Sequence, residues 1–263
     1  MSELRSELIT AVDRSPRATA AHHRTDWVGL FTDDGRGEDP VGSRPHVGPL
    51  QIGRFYDTFI EPRRIVFHHD ADIVCGSTVV RAVVLEVGMG PTVTMRIPAV
   101  LRYDMRTVAD DWRIERLRAY WELPAMMLQF LGNGPSAGPQ GLALTRSLLA
   151  NQGVRGSAGF ASGFRGARFR GKRTVRAFLA AIAAGDELRA WRSLAHGATI
   201  TAGVRKPLKF SAFSEQLRDV APAKMLAAGS SVAVSLPGPM PGVLIAELAR
   251  GGEAITTLTY FGE

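Results

Sequence analysis

The chain has 263 residues, of which 45% are hydrophobic, and a formal net charge of +7; that suffices for one large domain or two small ones with ordinary globular cores. The basic balance is local: residues 1–135 carry a net −2, residues 136–176 a net +8 and residues 177–263 a net +1, which excludes a basic nucleic-acid-binding fold. The lone Cys75 excludes an internal disulfide and reads as a small buried hydrophobe in a reducing compartment.

The opening MSELRSELITAVDR is helix-like, with acids and no apolar run of the kind a signal peptide needs. TDWVGLFTDDGRGEDP then reads as a strand from Phe31 that ends in Glu38-Asp39-Pro40. Pro40 biases Asp39 toward an extended backbone and lacks an N–H, which sets the Asp39 carboxylate at a strand end. In LQIGRFYDTFI, apolar Ile52, Phe55, Tyr56 and Phe59 fall at i, i+3, i+4 and i+7, the spacing of an amphipathic helix. Strand-like runs follow: RRIVFHH, STVVRAVVLEVG, PTVTMRIPAVLRY and WRIERLRAYWE. LPAMMLQFLGN reads as a packing tail, with a lid over a cavity as its alternative. Its apolar run is far shorter than the roughly 20 residues of a membrane-spanning helix, so a soluble, cytoplasmic protein without a transmembrane segment is expected.

The stretch 132–171 reads as a Gly/Arg-rich linker, with GNGPSAGPQG at one end, VRGSAGFASGFRGARFRG at the other, and LALTRSLLANQG as a short helix ending at Gly153 between them. Beyond it, RTVRAFLAAIAAGD places Val175, Phe178, Leu179 and Ile182 on one helical face. ELRAWRSLAHGATITAG, a helix FSAFSEQLRDV, and strands near KMLAAGS, SVAVSL, GVLIAELA and EAITTLTYF complete the chain. Both halves thus run helices, one more helix, then a meander. The expected fold class is α+β: two domains, 1–131 and 172–263, each with helices packed on one face of a curved antiparallel sheet. No dinucleotide fingerprint, phosphate loop or metal-spaced Cys/His cluster occurs, so no cofactor and no metal are expected. His22-His23 and His68-His69 are adjacent pairs whose side chains diverge, whereas His46 sits in the loop near Asp39 and is a candidate for a pocket mouth.

Asp39 is the candidate catalytic residue. Flanked by apolar Phe31, Val41, Phe55 and Phe59, its carboxylate would be partly desolvated and its pKa raised, as suits a general base. The segment FTDDGRGEDPVGSRP followed by IGRFYD closely resembles the base-containing loop and third helix of the bacterial Δ5-3-ketosteroid isomerase family, within the NTF2-like (SnoaL-like) superfamily. The resemblance is strong over about 30 residues, extends in element order over 1–122, and is weaker over 172–263. It implies two NTF2-like cones and places the family's base on Asp39, with Phe31, Val41, Phe55, Tyr56, Phe59, Ala99 and Trp121 as ligand-pocket residues. The family pairs its base with an oxyanion hole of a Tyr and a protonated Asp. Here Ser15 stands at the Tyr position and Ala99, or Val100 in a register shifted by one, at the Asp position. Tyr56, Tyr103, Tyr120 and Trp121 are the substitutes the sequence offers. In the second half, Phe178 stands at the Tyr position and Ala202 at the Asp position, so that half reads as a degenerate repeat without chemistry.

The implied activity is proton transfer α to a ketone of a steroid-like substrate. The alternatives are a noncatalytic binding module for a steroid- or polyketide-like lipid, and a SnoaL-like cyclase or epoxide hydrolase. The partner is an apolar small molecule, with the second domain as a pseudo-dimer partner through its sheet, or else a homodimer. The cations Arg155, Arg165, Arg168, Arg170, Lys172, Arg173 and Arg176 read as a solvated tether, or as an arm for an anionic membrane surface or nucleic acid.

Overall fold

The computed structural model describes residues 2–161, 168–204, 206–238 and 241–262. The first half opens with α1 (Ser2–Ala20) and α2 (Arg24–Gly29), then β1 (Phe31–Glu38), the short β2 (His46–Val47) and α3 (Gly48–Phe55), which runs on as a π-helical turn over Tyr56–Ile60. The long strands β3 (Arg64–Cys75), β4 (Thr78–Met89), β5 (Val93–Val108) and β6 (Asp111–Tyr120) follow. After α4 (Leu123–Gly132), α5 (Ala137–Ala161) and α6 (Arg168–Ala183), the second half has α7 (Glu187–Trp191), β7 (Leu194–Ala202), β8 (Lys206–Pro207) and α8 (Phe210–Leu217). It closes with β9 (Lys224–Ala228), β10 (Ser231–Leu236), β11 (Gly242–Leu248) and β12 (Ile255–Gly262).

The strands form two six-stranded sheets of one topology, ordered β2-β1-β6-β5-β4-β3 and β8-β7-β12-β11-β10-β9. The long strands make an antiparallel meander, as their short turns require. The sheets are nonetheless mixed rather than antiparallel throughout, because β1 pairs parallel with β6 and β7 parallel with β12. The helical excursion after β1 brings it back beside the last strand of its own half, and that return sets the direction.

Three apolar clusters hold the molecule together. In the first domain, Val79, Val83 and Val87 of β4 with Leu101 and Tyr103 of β5 cluster with Leu8 and Val12 of α1, Trp27 of α2, Ile52 of α3 and Tyr56 of the π-helical turn. In the second, Phe178 and Ile182 of α6 meet Phe213 of α8 and Val232, Val234, Leu244 and Leu258 of the sheet. Side chains alternate across a strand, and the residues between these form the third cluster. Ile73, Val80, Val100 and Tyr120 of the first sheet pack against Leu226, Ala233, Val243, Ile245 and Phe261 of the second. The two sheets therefore lie back to back. Each fully buried Val, Ile or Phe side chain here contributes about 1.5–3 kcal/mol. Arg102 joins the contact with its guanidinium 5.1 Å from the centre of the Phe261 ring.

Composition reads 132–171 as a linker, yet 137–161 is helical and the helix does not stop at Gly153. Within the basic stretch, Arg170 pairs with Glu253 and Lys172 with Glu122, while residues 162–167, including Arg165, lie outside the described residues. No helix among the described residues is long and apolar enough to cross a membrane.

Candidate functional site

The loop after β1 is fixed at several points. The Ser43 N–H donates to the Pro40 carbonyl and the Val41 N–H to the Ala119 carbonyl of β6. The peptide bond between Asp39 and Pro40 is cis. The parallel register sets Glu38 opposite Arg118, so Asp39 emerges level with the end of β6. There Trp121 Nε1 donates a hydrogen bond of 2.5 Å to Asp39 Oδ1.

Asp39 is partly buried in the first domain and lines a cavity of about 350 Å³. That cavity is lined by Phe55 and Phe59 of the α3 segment, by Leu85, Val87, Met95 and Ile97 of the sheet, and by Trp121. Met126, Met127 and Phe130 of α4 with Leu144 and Leu148 of α5 cover it. LPAMMLQFLGN thus contributes cavity wall rather than only a packing tail. Burial lifts the Asp39 carboxyl from 3.8 to about 6, and the Trp121 hydrogen bond, which favours the charged form, offsets this only in part. Among the described residues no cation pairs with Asp39. The site therefore holds a carboxylate that is poorly solvated, unpaired and near neutrality, the state in which a carboxylate accepts protons efficiently.

The other sequence-derived pocket residues divide. Phe55, Phe59 and Trp121 line the cavity. Phe31 borders a small apolar crevice beside it, together with Asp39, Trp27, His46 and Leu117. His46 packs its ring 5.1 Å from Phe55, and burial, with help from Arg44, lowers its pKa to about 4, so the ring is neutral. Tyr56 and Ala99 are buried in the first core and do not line the cavity. Val41 points the other way, into the cluster between the two sheets. At the position of the family's Tyr, Ser15 is buried on α1 and hydrogen-bonds Tyr103 of β5, whose hydroxyl burial pushes up to about 12. Trp121 is not a free donor for a ligand, since Asp39 occupies its N–H.

Sequence reasoning missed Arg63, which lines the cavity, and the contribution of α5, whose Leu144 and Leu148 carry an i, i+4 signal. It also missed how the second domain grips this site. Gly42, two residues past Pro40 at φ +92°, lies against the β9–β10 turn, so closely that an added Cβ would sit 2.4 Å from Gly229 Cα. Glu122, next to Trp121, accepts from the Ala227 N–H at 3.1 Å and pairs with Lys172 Nζ at 2.5 Å. A wider polar cleft of about 980 Å³, lined by Arg36, Asp104, Arg116 and Lys206 among others, opens between the domains away from Asp39. Among the described residues no cluster of His, Cys, Asp and Glu is set to hold a metal ion.

Residues 9–129 match the family model of the Nuclear transport factor 2 (NTF2) domain. That match spans the first α+β domain, and the second repeats its sheet order. Among curated proteins, none matches the chain. The Δ5-3-ketosteroid isomerase from Mycobacterium sp. is 26% identical over 46% of this chain and 96% of its own, with a TM-score of 0.42. RV0760c from Mycobacterium tuberculosis is 26% identical over 45% of this chain and 93% of its own, with a TM-score of 0.42. An LEH-like epoxide hydrolase from M. tuberculosis is 16% identical over 55% of this chain and 94% of its own, with a TM-score of 0.40.

Proposed function

We propose that the first domain binds a flat apolar ketone and moves a proton α to its carbonyl, with Asp39 as the general base. The observation that carries this reading is the unpaired Asp39 carboxyl, raised to about 6 at the wall of a 350 Å³ apolar cavity. A cavity of this size and lining suits a compact ring system. In a ketone with a β,γ double bond, Asp39 takes a proton from the α carbon between the two groups. The C–H electron pair forms the enolate double bond, and negative charge passes to the ketone oxygen. The carboxylic acid then returns the proton to the far carbon of the conjugated system, which leaves an enone and regenerates the carboxylate. Trp121 holds the carboxylate in place throughout. The second domain serves as a built-in sheet partner that braces the base loop through Gly42 and Gly229.

A second reading, a noncatalytic carrier of the same apolar ligand, is favoured by one observation: Ser15 and Ala99, at the family's two oxyanion positions, do not reach the cavity. Each missing donor lowers the rate by about 100–1,000-fold, so any turnover is expected to be slow. Epoxide opening is less well supported, since it calls for a second carboxylate and Asp39 is the one carboxylate lining the cavity among the described residues. The test is to mix the protein with a Δ5-3-ketosteroid and follow enone absorbance for wild type and Asp39→Asn. Turnover that the substitution removes supports the isomerase. Saturable ligand binding with no turnover above background in either protein leaves the carrier.

A further inference from the structure

Arg63 lies in the turn between the π-helical end of the α3 segment and β3, and it is 8% exposed. A buried guanidinium is costly unless it is paired. Nη1 of Arg63 donates to the Thr58 carbonyl oxygen at 2.6 Å, and its guanidinium carbon stands 5.6 Å from the centre of the Phe59 ring. Among the described residues no carboxylate pairs with it. Burial alone acts on its pKa and pulls it down to about 10. A guanidinium carries five N–H donors, and the Thr58 carbonyl takes one of them. The side chain lines the same cavity as Asp39.

The order of residues along that wall is informative. Phe55 shares the apolar crevice with Asp39. Phe59 follows one turn later, about 5 Å along the axis, with its ring 5.0 Å from that of Phe55. Arg63 folds over Phe59. Asp39 thus shares the crevice with the first ring, and Arg63 packs on the second. A ketone whose α-hydrogen meets Asp39 has its oxygen close to Asp39 as well, within a bond or two of the reacting carbon. Arg63, on the second ring, is left to meet the far end of such a molecule.

We infer that Arg63 is the anion-recognition residue of this cavity, and that the ligand is a flat apolar ketone carrying a carboxylate at the end remote from the carbonyl. The inference rests on the cavity being a site for such a ketone. A ligand carboxylate would supply the counter-ion the protein withholds, and guanidinium meets carboxylate with two parallel hydrogen bonds. An apolar enclosure strengthens that pairing. Arg63 would then act in specificity, selecting the acid over its neutral analogues and fixing which end enters first.

The probes are androst-4-en-3-one-17β-carboxylic acid and its methyl ester, bound to the full-length protein near neutral pH and followed by tryptophan fluorescence. Wild type is expected to bind the acid about ten- to a hundredfold more tightly than the ester, the range for a hydrogen bond between charged groups. Arg63→Met should bring the acid down to the level of the ester and leave the ester within about threefold of wild type, while Arg63→Lys should keep part of the preference. Equal affinities in wild type, a comparison that needs no variant, would overturn the assignment of Arg63 and leave the apolar ketone site standing. A preference for the acid that survives in Arg63→Met would overturn it too. Failure of both acid and ester to bind would overturn the ketone site, and the role of Arg63 with it.

Discussion

Replacing Asp39 with Asn is expected to abolish proton transfer and, at neutral pH, to stabilise the fold. The carboxyl rises from 3.8 to about 6 on folding because burial disfavours its charge. The folded state therefore holds this proton more tightly than the unfolded chain does. Below about pH 4 the group is protonated in both states and folding bears no electrostatic cost. As pH climbs from about 4 to about 6 the unfolded chain releases the proton first, and stability falls; above about pH 7 the loss is complete. At about 1.4 kcal/mol per pKa unit it amounts to about 3 kcal/mol. Asn keeps the shape and an oxygen to accept from Trp121 Nε1, but carries no charge. Asp39→Asn should thus exceed wild type by about 1–3 kcal/mol at about pH 8, with the gain shrinking toward zero near pH 4. Urea unfolding followed by circular dichroism across this range measures the difference. A difference independent of pH, or one that grows toward acid, would refute the view that Asp39 is a desolvated carboxylate.

Trp121→Phe removes the N–H donor that favours the charged carboxylate. A hydrogen bond to a charged group contributes about 1.5–3 kcal/mol, so the Asp39 titration should move up by about one unit or more; the acid limb of the pH–rate profile, or carbonyl NMR of Asp39, reads this, and an unmoved titration counts against the bond. Gly42→Ala would press a Cβ to 2.4 Å from Gly229 Cα at φ +92°, whereas Gly76→Ala, at φ +59°, meets nothing within 4 Å. Both bear backbone strain of about 1 kcal/mol or more. The Gly42 variant should lose at least about 2 kcal/mol beyond the Gly76 variant in urea unfolding, and equal losses would deny that the two domains meet at this loop.

What the sequence made legible was local. Pro40 announces the strand end at which Asp39 stands, and the spacing of Ile52, Phe55 and Phe59 announces the helix that faces it, because both signals lie within a few residues. The parallel pairing of β1 with β6 is not written locally, since alternation looks alike in either direction. The run VVRAVV does carry a signal: apolar residues at successive positions mean burial on both faces, and Val80 indeed faces the second sheet while Val79 and Val83 face the cone. Apolar character alone cannot tell a cavity wall from filled core, which is why Phe59 and Ala99 look alike in sequence and part company in space. In sequence, Arg63 and Arg64 are two adjacent cations at the start of the strand-like run RRIVFHH. The fold buries the first and leaves the second side chain 66% exposed and paired with Glu86. The glycines of α5 suggest a linker, but Leu144 packs on the first core, and such tertiary contact outweighs the roughly 1 kcal/mol that each glycine costs a helix.

The back-to-back contact between the sheets is made within a single chain, and this fixes how the site responds to dilution. Two separate subunits joined through the same faces would come apart as their concentration fell. Tethered halves meet at an effective concentration on the order of millimolar, whatever the protein concentration. The brace at Gly42 and Glu122 is then always in place, and no second, equivalent pocket need be kept across the junction. Phe178 and Phe213 can fill the interior of the second half with rings 6.1 Å apart, where a matching subunit would have had to keep a cavity. Among the described residues a ligand held beside Asp39 has one such place, so the molecule is expected to saturate without cooperativity and at a stoichiometry unaffected by self-association.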